Sequence, residues 1–203
     1  CFLTLRIVYM SVVNGVNFLP GADLSGQDFS NADFSGVDLT LVNLSGANLT
    51  GAIFDGALLK YTDFSGANLT GANFEGSAIA DGYYGSDSGQ PYPRQVDFTG
   101  ADLSGANFFQ VNLSQTNLTD AVFTNANLSG VNFPNLIQGG TEFNASTYMD
   151  YSSLNFSGAN LSGAYLSNIT AVGTNFNGAD LRGAFINGGD FSNSNFSEVN
   201  LSN

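Results

Sequence analysis

From Ala22 onward the sequence advances in steps of five: ADLSG at 22–26, ANLTG at 47–51 and 67–71, ADLSG at 101–105, and ANLSG at 126–130. A period of five fits neither the 3.6-residue turn of a helix nor the two-residue alternation of a long strand. No single regular element can therefore hold the large apolar residues on one face, and the chain must bend once per unit.

Taking the large apolar residue as the centre of each unit, centres fall at every fifth residue from Leu24 to Ile79. A second run goes from Phe98 to Phe133 and continues less cleanly through Gln138, Phe143 and Tyr148, and a third goes from Phe156 to Leu201. Two residues before each centre stands a small side chain, such as Ala22, Ala47 or Ala159. In extended backbone that spacing puts it on the same face as the centre, so both point inward. Asn or Asp lies between them, and Ser or Thr and then often Gly follow, a composition for solvent-facing corners. Short sides joined by tight corners describe a narrow coil whose backbone bonds run to the coils above and below, about 4.8 Å away.

These units resemble those of the pentapeptide-repeat family: a small residue, Asn or Asp, Leu or Phe, Ser or Thr, and Gly. The resemblance covers residues 16–203 apart from two interruptions. It implies an all-β fold, a right-handed quadrilateral β-helix with four units per coil, here about nine coils. Residues twenty apart should then stack. Phe34, Phe54 and Phe74 form one such column, Phe156, Phe176 and Phe196 another, and Leu161, Leu181 and Leu201 a third. On the outside, Asp23, Asn43 and Asp63 place a neutral amide between two carboxylates, which reduces repulsion.

The expected organisation is one solenoid domain over residues 1–203. Residues 1–15 form an apolar capping or docking strand, and 82–95 (GYYGSDSGQPYPRQ) form a loop that breaks the period. A smaller excursion is expected at 148–153. The chain starts at Cys1, which is read as truncation or processing, with lipidation as the alternative. No apolar stretch is long enough to span a bilayer; the longest, Phe2 to Val13, includes Arg6.

Histidine is absent and Cys1 is the only cysteine, so one chain cannot assemble imidazole or thiolate metal sites or Ser/His or Cys/His nucleophilic pairs. No cofactor and no catalytic residue is expected. Seventeen acidic against four basic side chains give a net charge of −13, which opposes direct nucleic-acid binding and favours basic partners. Twelve Asn-X-Ser/Thr sequons arise from the repeat itself. A surface rich in Asn, Ser, Thr and Gly with one lysine points to an extracytoplasmic, bacterial setting.

Two functions fit. One is a noncatalytic structural or interaction scaffold that binds a protein partner or itself, head to tail, as a filament. Its candidate end contacts are Phe2, Leu5, Val8, Val199 and Leu201, and its candidate partner loop carries Tyr83, Tyr84, Tyr92 and Arg94. The alternative, implied by the resemblance, is an acidic mimic of duplex DNA that binds DNA gyrase or topoisomerase, inhibiting or protecting it. Asp23, Asp28, Asp33 and Asp38 would ring one coil but point to four faces.

Overall fold

The computed structural model describes residues 11–13, 16–79, 96–113, 116–133, 154–167 and 169–202. Two three-residue strands come first, β1 (Ser11–Val13) and β2 (Val16–Phe18), paired antiparallel with Val12 opposite Asn17. The residues between them in sequence, Asn14 and Gly15, are the pair most favoured in two-residue hairpin loops, a signal the five-residue period had hidden.

Everything after β2 is built from single paired residues. Asp23 pairs in parallel with Asn43, Asp28 with Asn48, Asp33 with Ile53 and Asp38 with Leu58, each across a step of twenty, after which the cycle repeats. Only β3 (Val96–Asp97) and β4 (Thr116–Asn117) reach two paired residues. A side two or three residues long offers little more than one bridge before the chain turns. Four sides per twenty residues make a four-sided coil, as the stacking columns predict. The first side holds centres such as Leu24, Leu44 and Phe64, the second Phe29 and Leu49, the third Phe34 and Phe54, and the fourth Leu39 and Leu59.

Each side bonds both ways along the axis. Leu24 N–H donates to the Asn43 carbonyl at 2.8 Å, while Asn43 N–H donates back to Ala22 at 2.9 Å. At each corner the centre's carbonyl accepts from the residue three along, as with Ala32 N–H to Phe29 at 3.0 Å. The third residue of that turn has positive φ. Glycine takes this position without steric cost in most units, for example Gly46 at φ 64°. Leu41 at φ 66° and Tyr61 at φ 61° hold the same left-handed conformation with bulky side chains.

The core is the bore of the coil. The centres are buried from Leu24 to Leu181, as are the inward residues two before them apart from exposed Gln27 and half-buried Ala22 and Ser77, and like stacks on like. Phe34, Phe54 and Phe74 lie ring over ring at 5.1 and 4.7 Å, and Phe156, Phe176 and Phe196 at 5.4 and 4.9 Å. Rings from different sides meet edge to face, as Phe64 does with Phe54 at 5.6 Å. Thr62 and Thr116 replace alanine at the small inward position, and their hydroxyls donate to the carbonyls of Leu39 and Leu113 at 2.9 and 2.8 Å.

The interruptions appear as register. Asp63 pairs with Asp97, Asn68 with Asp102 and Asn73 with Asn107, a step of 34 that is fourteen longer than a coil. Fourteen is also the length of 82–95, and Phe74 stacks directly on Phe108 at 4.5 Å across it. The second interruption is read in the same way. Val122 pairs with Asn155 and Asn127 with Asn160, a step of 33 that is thirteen longer than a coil, so Phe156 follows Phe123 directly in its column. The units centred on Gln138, Phe143 and Tyr148 and the excursion expected at 148–153 lie outside the described residues.

Candidate interaction surfaces

The outward residue of each side, usually Asn or Asp, works in two directions. Its Oδ1 accepts the N–H two residues on, closing the corner: Ser30 N–H to Asp28 at 2.9 Å, Ser45 to Asn43 at 3.0 Å. Where the outward residue is Asn, its amide also donates to the residue one coil earlier, Asn43 to Asp23 at 3.0 Å and Asn48 to Asp28 at 3.0 Å. On the third side Asn73, Asn107, Asn127 and Asn160 continue this as a ladder with steps of 3.0, 2.9 and 3.3 Å. The sequons belong to the same geometry, since Thr50 donates both N–H and hydroxyl to Asn48, as Thr70 does to Asn68.

The same bonds shift the carboxylates. Ser25, through its hydroxyl and then its N–H, holds the Asp23 carboxyl below its usual pKa, with Asn43 adding to the effect. The Ser30 N–H and hydroxyl do so for Asp28, and the Ser35 hydroxyl and N–H for Asp33. Asp190 is lowered by Ser192 and Asp180 by Arg182, whose guanidinium grips it at 2.6 Å. A carboxyl whose folded pKa is depressed adds stability that is present above its unfolded pKa and is lost as pH falls through the folded value. Urea midpoints are therefore expected to hold steady from neutral pH down to about 5 and to fall below about 4. A midpoint that stays constant down to pH 2 contradicts this.

Alternation of Asn and Asp holds for Asp23, Asn43 and Asp63 but breaks at the next level, where Asp63 meets Asp97. Asp97→Asn keeps the acceptor for Thr99, which donates N–H and hydroxyl to Oδ1, and supplies an amide that can reach Asp63 as Asn43 reaches Asp23. Replacing one of two facing like charges is expected to raise stability by about 0.5 kcal/mol. Equilibrium unfolding at low salt measures it, and the gain should shrink at about 1 M salt. Among the described residues Asp63 and Asp97 are the only directly bridged carboxylates, so no column carries a run of them.

The candidate loop residues Tyr83, Tyr84, Tyr92 and Arg94, and the candidate end residues Phe2, Leu5 and Val8, lie outside the described residues. Val199 and Leu201 are described. Val199 is half-buried against the core and Leu201 is 60% exposed, although the centres it follows in its column, Leu161 and Leu181, are buried. In this last coil the N–H groups of Phe191, Asn193, Phe196, Glu198 and Leu201 have no backbone acceptor among the described residues, whereas Phe176 N–H bonds to Asn195 at 2.8 Å. Among the described residues no group of His, Cys, Asp and Glu could hold a metal ion, and no helix is long and apolar enough to cross a membrane.

No curated protein sequence matches the chain. Among solved structures, HetL from the cyanobacterium Nostoc sp. strain PCC 7120, a pentapeptide repeat protein involved in heterocyst differentiation regulation, is 20% identical. That match covers 89% of this chain and 77% of HetL, with a TM-score of 0.42. QnrB1, a plasmid-mediated fluoroquinolone resistance protein, is 21% identical over 91% of this chain and 86% of its own, with a TM-score of 0.42. A pentapeptide repeat protein of the Arabidopsis thaliana thylakoid lumen is 28% identical over 73% and 68%, with a TM-score of 0.27.

The family model described as pentapeptide repeats matches in eight copies over residues 18–46, 38–76, 101–135 and 174–203, more than half of the chain. Its members form right-handed quadrilateral β-helices, in keeping with the four-sided coil seen here. The chain belongs to the pentapeptide-repeat family.

Proposed function

We propose that this protein is a noncatalytic interaction scaffold, a rod whose third side stacks eight outward residues from Asp33 to Asn200 rather than the nine coils expected from the sequence, roughly 38 Å in length, and whose coils take up coils of a second copy head to tail. Pentapeptide-repeat proteins are protein-interaction scaffolds, and this reading adds a mode of assembly. The supporting observation is the axial ladder, in which each coil bonds to the next through backbone pairs such as Phe176 N–H to the Asn195 carbonyl at 2.8 Å. A coil of a second copy can be joined through the same bonds, with Leu201 and Phe196 supplying apolar contacts. A heterologous contact of this kind does not close, so it propagates as a filament. The hydroxyl- and amide-rich surface, with a single lysine, suits a place outside the cytoplasm of a bacterium.

The test is electron microscopy and sedimentation of the 203-residue protein from micromolar to millimolar concentration. The expected result is rods that lengthen with concentration, together with Leu201→Asp rods that stay at single-copy length. Single-copy mass for the unaltered protein throughout that range removes the assembly reading.

A further inference from the structure

Large apolar side chains on the outside of the rod are not spread evenly. Setting aside Leu19 and the core positions Phe196 and Leu201, six are exposed among the described residues: Leu41, Ile53, Leu58, Phe109, Tyr165 and Phe185. Leu58, Tyr165 and Phe185 are outward residues of the fourth side. Phe109 lies at the corner leading into that side and Leu41 at the corner leading out of it. Only Ile53 belongs to another side. Tyr165 and Phe185 stack at 4.7 Å with each about half exposed, so an apolar contact is already laid out in solvent.

The order of residues along this side is complementary to its own reverse. Coil by coil, the outward positions are Leu58, Ala78, Asn112, Asn132, Tyr165 and Phe185, with Asn112 placed by the step of 34 that holds on the other three sides. All six are exposed. Laid antiparallel on a second copy, Leu58 meets Phe185, Ala78 meets Tyr165, and Asn112 meets Asn132. Each ring then faces an aliphatic or small side chain, and amide faces amide. The corner between the third and fourth sides follows the same rule. Its leading residues over the same coils are Asp55, Glu75, Phe109, Ser129, Ser162 and Arg182. Reversed, Asp55 meets Arg182, Glu75 meets Ser162, and Phe109 meets Ser129. One twofold axis crossing the rod between Asn112 and Asn132 produces every one of these pairs twice.

Charge and register favour a second copy as the occupant. Carboxylates stand at the Leu58 end of the edge and a guanidinium at the Phe185 end, a polarity that an identical edge running the other way matches. Arg182 gives Nε and Nη2 to Asp180, leaving Nη1 for a further carboxylate, and its side chain is 56% exposed. A slip of one coil in one direction sets Phe185 against Asp38. A slip in the other sets Tyr165 against Asn112 and carries Leu58 past the partner's last described outward residue on this side. The overlap runs five coil steps, or about 24 Å. A strip of that length buries less than the roughly 800 Å² per partner of a standard interface, so association in the high-micromolar range is expected.

We infer that the fourth side and its corner with the third side form a docking surface for the same surface of a second copy, laid antiparallel about a twofold axis. Phe196, Val199 and Leu201 take no part in it. Side-to-side pairing therefore doubles the mass of a rod without lengthening it, and is read separately from head-to-tail assembly.

The test is a dilution series of the isotope-labelled 203-residue protein carrying Leu201→Asp, from millimolar to micromolar concentration, followed by amide chemical shifts and sedimentation. The expected result is a mass that rises toward two copies and no further. Amides at Leu58, Ala78, Tyr165 and Phe185 should shift with concentration while those of the second side stay in place. Phe185→Asn installs the residue the repeat itself uses at outward positions, so it should fold, and it should weaken association at least tenfold. Asp55→Arg and Arg182→Glu each install a residue type that the same corner carries in another coil. Each variant alone should associate more weakly than the parent, and an equimolar mixture of the two should recover association, because both ion pairs re-form across the mixed dimer. Five results overturn the inference: single-copy mass at millimolar concentration, shifts on all four sides alike, shifts centred on Phe196, undiminished association in the folded Phe185→Asn variant, or a mixture of Asp55→Arg and Arg182→Glu that associates no more tightly than either alone.

Discussion

Phe74→Ala is expected to cost about 3–5 kcal/mol, near the top of the range for a buried aromatic ring. Phe74 is fully buried and is held on every side by other rings. Phe54 and Phe108 cover its two faces at 4.7 and 4.5 Å, and Phe64 and Phe98 meet it edge to face at 6.1 and 5.7 Å. The cavity cannot close, because the coils on either side are fixed by bonds such as Phe74 N–H to Asn107 at 2.8 Å and Asn73 N–H to Ala52 at 2.9 Å. In a solenoid each coil touches only its neighbours, so the loss falls on two interfaces and should broaden the urea transition as the two halves uncouple. Phe196→Ala removes the same atoms from a ring that is already partly exposed, with Phe176 stacked on one face and Phe191 meeting it edge-on. It should cost about 1 kcal/mol. Equal losses at the two sites would mean that the stacked column is not what supports the coil.

The second large effect comes from adjacent residues given the same chemistry. Ala126→Asp is expected to destabilise by several kcal/mol, leaving the protein unfolded or molten at neutral pH. Ala126 is buried at a small inward position between Ala106 and Ala159, as the axial bonds of Asn127 and Asn160 place it, and the bore around it is apolar. A carboxylate there has no cation to meet and no room for water. Asn127→Asp, one residue along, points outward. It keeps the acceptor for Ser129 and gives up the amide bond to Asn107 at 2.9 Å, for a cost of about 1 kcal/mol. Circular dichroism and urea midpoints at neutral pH separate the two variants. The carboxyl introduced by Ala126→Asp favours its neutral form in the bore, so partial recovery of structure is expected as pH is lowered toward about 4.

The contrast between those neighbours shows why so much of the fold could be read from the chain. The five-residue step, the small residue two before each centre and the corner residues after it are local instructions, and they repeat often enough to specify which atoms point inward. The stacking of Phe34, Phe54 and Phe74 follows from counting twenty. The same counting identifies Asn43 as a spacer between carboxylates, and the period resumes in register on either side of fourteen surplus residues.

Counting fails where the interval is no longer constant. Gln138, Phe143 and Tyr148 keep the step of five in sequence, yet Val122 pairs with Asn155, and only the ladder reveals that thirteen residues are surplus. Asp63 and Asp97 stand 34 apart in sequence, so their meeting depends on how the insertion closes. The clustering of Leu41, Leu58, Phe109, Tyr165 and Phe185 along one edge is likewise invisible in a string where each is an isolated departure from the repeat.

The sequence by itself determined the coil: its period, its inward residues and its corners, because each rests on conformational preferences within five residues. The tertiary structure decided which distant coils are neighbours across the insertions, and therefore which outward side chains share an edge. That is a matter of register, and register is set by hydrogen bonds between coils that no local preference encodes.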